Sequence, residues 1–400
     1  MELRSTGDND ARSCRHLFEA LPFLTMPDAS LNSNPSAATR HAEVAWLDDA
    51  RIAPTLVTLS AGGLRLVVAP EVGGALAAFY ELTPDGPLHW LRPASQAAFD
   101  ECDPLRMASF PLLPYCNRIR DARFPFNGET IDLNGNDPRF AHALHGNAWR
   151  RPWKVAARTA SAVTLEFEHA PDSTHRGDWP FSYRAQQRIE LMADGLRITL
   201  SARNLADRPM PFGMGHHPYY PRTAHTRICA DVKAMWHADT EVLPTHLGAH
   251  PAVDALREGM SPDAYDLDNN FANWSRRATI AWPDEHRRLT MTAEAPFDHM
   301  VVFAPASDPR QLCVEPVTNT TASVTLRPYF SICCGAGFAD HLRSPRRDLF
   351  QRREHLPARC PKQHRLLGRL HDRREFCKRI GQCRIAQHRR RASHLVNPLP

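Results

Sequence analysis

Between about Thr55 and Thr321 the chain is written in short runs in which apolar and polar residues alternate in steps of two. Val163-Thr-Leu-Glu-Phe-Glu and Leu196-Arg-Ile-Thr-Leu-Ser-Ala are the clearest, the second entered through the turn pair Asp194-Gly195. A period of two sends alternate side chains to opposite faces, which suits a strand with one face on a core and the other in water. Leu64-Arg-Leu-Val-Val and Ala75-Leu-Ala-Ala-Phe-Tyr read as two strands joined across a turn ending in Gly73-Gly74. The same spacing returns at Thr279-Ile-Ala-Trp, Leu289-Thr-Met-Thr and Met300-Val-Val-Phe. No long amphipathic helix pattern competes, so the expectation is an all-β antiparallel sandwich of many strands.

The ends are written differently. Residues 1–45 mix Ser, Asn, Asp, Ala and Pro without an apolar period and read as a disordered leader, with Met26 a second plausible start. The sandwich is expected over residues 46–335. Residues 336–400 form an Arg-, His- and Cys-rich tail poor in Val, Ile and Phe, read as out-of-frame translation of a GC-rich gene in preference to a genuine basic extension. Such a tail would replace closing strands and leave an unpaired sheet edge. Residues 341–400 hold 17 Lys and Arg against 4 Asp and Glu; removing that surplus of 13 from the formal +5 of the whole chain leaves −8 for residues 1–340. The domain is thus mildly acidic, and the tail has few aromatics, so no nucleic-acid partner is expected.

The longest apolar stretch near the start, Leu17–Met26, is broken by Glu19 and Pro22, so no membrane span is expected, and the protein reads as cytoplasmic. Ten cysteines without a Cys-x-x-Cys pair, in a chain of 400 residues, are expected to be reduced and not to hold zinc.

Five segments bring polar groups to strand ends or faces: Asn117-Arg118-Ile119, Leu144-His145-Gly146, Gly215-His216-His217-Pro218-Tyr219-Tyr220, Asp266-Leu267-Asp268-Asn269-Asn270-Phe271 and Cys313-Val314-Glu315-Pro316. In order and spacing they resemble the aldose 1-epimerase (galactose mutarotase) family, over about Leu56 to Thr320. The resemblance implies a large antiparallel sandwich of the supersandwich type and a cofactor-independent interconversion of the α and β anomers of a free aldose. That reaction needs a base for the C1 hydroxyl proton and an acid for the ring oxygen.

By position in the motifs, Glu315 matches the base and His217 the acid. Adjacent strand residues face opposite ways, so only one of His216 and His217 can face the site. A metal bound by the His-His pair would need a third ligand, and none is evident in the spacing; no metal or cofactor is expected. His145 matches a second histidine near the ring oxygen or C1, with Gly146 allowing close backbone approach; His142 is expected to face solvent. Asn117, Arg118 and Asp268 match residues that hydrogen-bond sugar hydroxyls, Asp266 being the residue confusable with Asp268, and Asn269-Asn270 departing from the family pattern. Trp149, Trp179, Tyr219 and Phe297 lie near the motifs and could stack on a sugar face, but most aromatics at strand positions are core, and none is counted among the site residues.

Two further readings stay open. An epimerase of hexose 6-phosphates would need cationic residues facing the site, for which Arg120 and Arg123 are candidates. A sugar-binding sandwich without turnover would not need both Glu315 and His217. The sequence names neither the sugar nor the oligomeric state.

Overall fold

The computed structural model describes residues 44–133, 139–171 and 178–320 in full, and 334–340 as backbone. The sequence expectations for residues 1–43 and 341–400, including the out-of-frame reading of the tail, lie outside the described residues.

Three antiparallel sheets make up most of the fold. A four-stranded meander runs through Val57–Ala61, Leu64–Ala69, Ala75–Thr83 and Gly86–His89. An eight-stranded sheet has the order Lys154–Arg158, Ala162–His169, Tyr183–Met192, Gly195–Asn204, Cys334–Asp340, Arg287–Ala293, Arg277–Trp282, Arg227–Ala230. A seven-stranded sheet has the order Pro244–Gly248, Ala234–Ala238, Leu267–Ala272, His299–Ala304, Cys313–Val317, Gly215–His216, Pro111–Leu112. The expected all-β antiparallel sandwich is the fold observed. Each strand named from sequence is present within a residue or three of its expected ends. Among the described residues the α-helices are short, Gln96–Asp100 and Pro251–Glu258, and none is long and apolar enough to cross a membrane.

Alternation explains the packing. Tyr183, Ala185, Gln187, Ile189 and Leu191 point inward from one strand while the residues between them reach solvent. One core joins Leu59 and Leu66 of the first sheet, Leu165, Ile189 and Ile198 of the second, and Phe271, Val302 and Val314 of the third. Burying such a Leu, Ile or Phe side chain contributes about 1.5–3 kcal/mol each before entropy is charged. Val44 and Trp46 are already buried, and Trp46 Nε1 donates to Ala94 O at 2.9 Å, so the described core starts at the edge of the expected leader.

One expectation needs correction. The strand Cys334–Asp340 is paired on both sides, with Gly195–Leu200 and with Leu289–Ala293, where an unpaired edge was expected. Ladder hydrogen bonds use main-chain groups, so a run of Gly and Ala can fill a gap between two formed strands despite its low intrinsic preference. Among the described residues Cys102, Cys116 and Cys313 carry free thiols.

Candidate active site

Cys313–Val317 lies inside the seven-stranded sheet, between His299–Ala304 and the short strand Gly215–His216. Every residue of it is buried. The two-residue period puts Cys313 and Glu315 on the same face, and Glu315 is only 2% exposed. Gly215 pairs with Val317, and a Cβ there would stand 2.8 Å from Val317 Cγ1 and 2.9 Å from Cys116 Sγ. Glycine therefore lets this strand come close enough to bring the next side chains beside Glu315. His217 follows, its backbone N–H donating to Phe110 O at 2.9 Å and its ring stacked on Phe110 with centroids 4.7 Å apart. His217 Nε2 stands 3.3 Å from Glu315 Oε1.

A two-stranded ribbon, Arg118–Ile119 with Ala143–Leu144, delivers the other groups. Just beyond its paired residues, Asn117 and His145 bond reciprocally: His145 N–H donates to Asn117 O at 3.0 Å, and Asn117 N–H donates to His145 Nδ1 at 3.0 Å. Both residues are left-handed, Asn117 at φ 61° and His145 at φ 59°. Gly146 continues the turn at φ 74°, where a Cβ would fall 2.0 Å from Leu113 O. Because Nδ1 of His145 accepts, its neutral ring carries the proton on Nε2 and has a donor left for a ligand. The ring stands edge-on to His217, centroids 5.3 Å apart. Arg118 pairs with Asp268 Oδ2 at 3.0 Å and also donates to Asn117 Oδ1 at 3.2 Å. Their side chains, 19% and 21% exposed, are the partly open members of a group that is otherwise buried.

The electrostatics follow from burial. Loss of hydration pushes the Glu315 carboxyl well above the usual carboxylate range, with Asp268 adding to the effect and Arg118 opposing it. Burial pulls His217 down to about 3, helped by the cations Arg92 and Arg118. His145 is held well below the usual imidazole range by burial, His217 and Arg118. Asp268 is raised by burial against the pull of Arg118. A protonated Glu315 beside a neutral His217 is a pair holding one exchangeable proton at zero net charge. Passing that proton across gives carboxylate and imidazolium, still at zero net charge, so both a base and an acid are reachable without importing a charge into the core.

All six residues singled out from sequence are brought into this neighbourhood through the contacts just given. His216 points away: its Nε2 donates to Gln187 Oε1 at 2.9 Å and its Nδ1 meets Ser109 Oγ. Asp266 accepts from the Ala306 N–H at 2.9 Å and clips a loop. His142 is buried, not solvent-facing, because the ribbon folds it back so that its Nδ1 accepts from the Asp121 N–H at 3.1 Å. Arg120 and Arg123 are taken up by carboxylates, Arg120 by Asp239 at 3.0 Å and Arg123 by Asp132 at 2.7 Å. Trp149, Trp179 and Phe297 are buried core, whereas Tyr219 also packs against His217 at 4.8 Å. Sequence reasoning missed Phe110, Cys313 as a neighbour of the pair, and Arg92, whose guanidinium lies 3.8 Å from the centroid of the Tyr219 ring. Nothing in the local text of Arg92 marks it, since its hydrogen-bond partners are Gln311 and the carbonyls of Leu105 and Met107.

An antiparallel sandwich that buries a carboxyl and an imidazole together, beside Arg, Asn and Asp, defines a class suited to acid/base work on a hydroxyl-rich ligand. The sequence profile of the family described as aldose 1-epimerase matches residues 55–332. The chain belongs to that family. It is 31% identical over 279 residues to the uncharacterized protein YphB of Escherichia coli K12, covering 66% of this chain and 88% of that one. It is 29% identical over 141 residues to the aldose 1-epimerase of the same organism, covering 34% and 38%. Among solved structures, a protein provisionally described as an aldose 1-epimerase from Escherichia coli K12 superposes with a TM-score of 0.64 at 26% identity, over 72% of this chain and 99% of that one. A galactose mutarotase-like protein from Clostridium acetobutylicum shares the fold, with a TM-score of 0.61 at 19% identity, over 72% and 94%.

Proposed function

We propose that the protein is a mutarotase that interconverts the α and β anomers of a free aldose by ring opening and closure. The observation that carries this reading is the buried His217–Glu315 contact of 3.3 Å, between a carboxyl that burial raises and an imidazole that burial lowers. Glu315 as carboxylate takes the proton of the C1 hydroxyl while His217 as imidazolium protonates the ring oxygen, and the C1 to ring-oxygen bond opens. Rotation about the C1–C2 bond presents the other face of the aldehyde, and the same two transfers run backwards. The enzyme ends as it began, with electrons and protons balanced within sugar and pair. His145 Nε2–H supplies a neutral donor to the oxygen on which charge develops. Arg118, Asn117 and Asp268 hold the remaining hydroxyls, mixing fixed donors with acceptors.

Arg120 and Arg123 lend no support to a phosphorylated substrate, because each is already paired with a carboxylate. Polarimetry of freshly dissolved glucose, galactose and xylose, with and without enzyme, tests the reading. Acceleration of the drift of at least one sugar is expected; a panel that drifts only at the buffer rate while sugar binds would leave a binding protein.

A further inference from the structure

Cys313 has no part in the proton transfers, yet it lies two residues from Glu315 on the same strand face and is fully buried. One ligand atom from each of His217, Cys313 and Glu315 can be chosen so that all three lie within 4.8 Å of one another. Nitrogen, sulfur and carboxylate oxygen in one place are the donors of a borderline-soft divalent ion. A second observation points the same way: among the described residues Glu315 Oε2 is buried without a hydrogen-bond partner, so the carboxyl has lone-pair capacity that the protein leaves unused.

We propose that His217, Cys313 and Glu315 form an inhibitory site for a zinc-type divalent cation, which closes the active site by taking up acid and base together. A tetrahedral zinc ion with bonds of about 2.0–2.3 Å holds its donors roughly 3.3–3.8 Å apart, so side-chain rotation must draw the three together by about 1 Å. The fourth position is left for water. Binding releases the thiol proton, and that of Glu315 when present, to solvent; the dication then compensates the two anions that the core otherwise disfavours. The site itself stands on geometry; only its inhibitory effect rests on the mutarotase reading.

Cobalt(II) is the probe, because a thiolate ligand gives it a near-ultraviolet charge-transfer band that oxygen and nitrogen ligands do not. Full-length protein is titrated with Co²⁺ alone, and with Zn²⁺ in competition. The expected result is a thiolate band at one equivalent, displaced by Zn²⁺ and absent in Cys313→Ser. That variant should keep its mutarotation rate and lose affinity for zinc on the order of 100-fold. Cys116→Ser, altering a buried thiol outside the triad, should keep the band, and Glu315→Gln should weaken it. Should Cys313→Ser fold poorly, Cys313→Ala and the Glu315→Gln titration decide the matter. Cobalt bound without a thiolate band, as at the surface histidines His237, His246 and His250, would overturn the site. A band present in wild type without loss of mutarotation would overturn the inhibition alone, and an enzyme that turns over no sugar would leave the metal titration intact while refuting the function.

Discussion

Gln187 accepts a hydrogen bond from His216 Nε2 at 2.9 Å and donates through Nε2 to Gly74 O at 2.8 Å, so one side chain ties the eight-stranded sheet to the seven-stranded one and to the turn that leads into Ala75–Thr83. His216 is thereby spent on structure and His217, next to it, is free for chemistry. His217→Asn should lower kcat by about 10²–10⁴ with the fold intact. His216→Asn should instead lower stability by about 1–3 kcal/mol, since Gln187 and Ser109 lose a partner in the core. Paired measurements of mutarotation rate and urea unfolding separate the two; a larger kcat loss in His216→Asn would reverse the assignment.

The buried pair fixes the pH profile. Because burial pulls His217 down to about 3, the acid limb of kcat/KM should lie toward pH 3 and not near 6.5, the ordinary imidazole value. The raised Glu315 carboxyl places the alkaline limb above 4.5. Rates extrapolated to zero buffer would check this, an acid limb at 6.5 being the contrary result. Stability carries the same signs. The raised carboxyl favours folding below its unfolded value near 4.5 and loses that contribution as pH rises toward its folded value, by at most about 1.4 kcal/mol per pH unit. The depressed imidazole costs stability as pH falls from 6.5 toward 3. Melting temperatures of Glu315→Gln should therefore gain on wild type as pH rises above 4.5.

Asp268 and Arg118 hold each other at 3.0 Å while only about a fifth exposed. Asp268→Asn should raise KM by roughly 30-fold, about 2 kcal/mol for a hydrogen bond to a charged group, with a smaller change in kcat. It also removes a negative neighbour that raises Glu315, so the alkaline limb should shift to lower pH. Initial-rate kinetics at several pH values test both; an unchanged KM would place Asp268 outside the sugar contacts.

Gly146 has both a left-handed φ of 74° and no room for a Cβ, which would meet Leu113 O at 2.0 Å. Gly146→Ala should cost at least about 2 kcal/mol of folding stability and, by moving His145, part of the activity. A denaturation midpoint equal to wild type would show that the turn relaxes at no cost.

The strands were legible because burial on one face writes a period of two into the text. The strand Tyr183–Met192 was readable in the same way and was overlooked: Gln187, alone polar in its inward row of Tyr183, Ala185, Ile189 and Leu191, also announces a buried hydrogen bond. Among the candidate site residues, those in short motifs could be named, since motif order stands in for spatial convergence. Arg92 and Phe110 could not, because their roles come from packing against Tyr219 and His217 from distant parts of the chain. The strand Cys334–Asp340 was hidden because its Gly- and Ala-rich text lacks the branched residues that mark a strand, and its place is set by the two strands that pair with it.

The central claim is that one shared proton on Glu315 and His217 turns the sugar over. Exchange NMR between the α and β anomeric protons of the best substrate, in wild type and Glu315→Gln, tests it most directly. Glu315→Gln should bind the sugar within about threefold of wild type while anomer exchange falls by about 10³ or more, because the amide keeps the shape and cannot accept the C1 proton. Exchange in Glu315→Gln within tenfold of wild type would contradict the account.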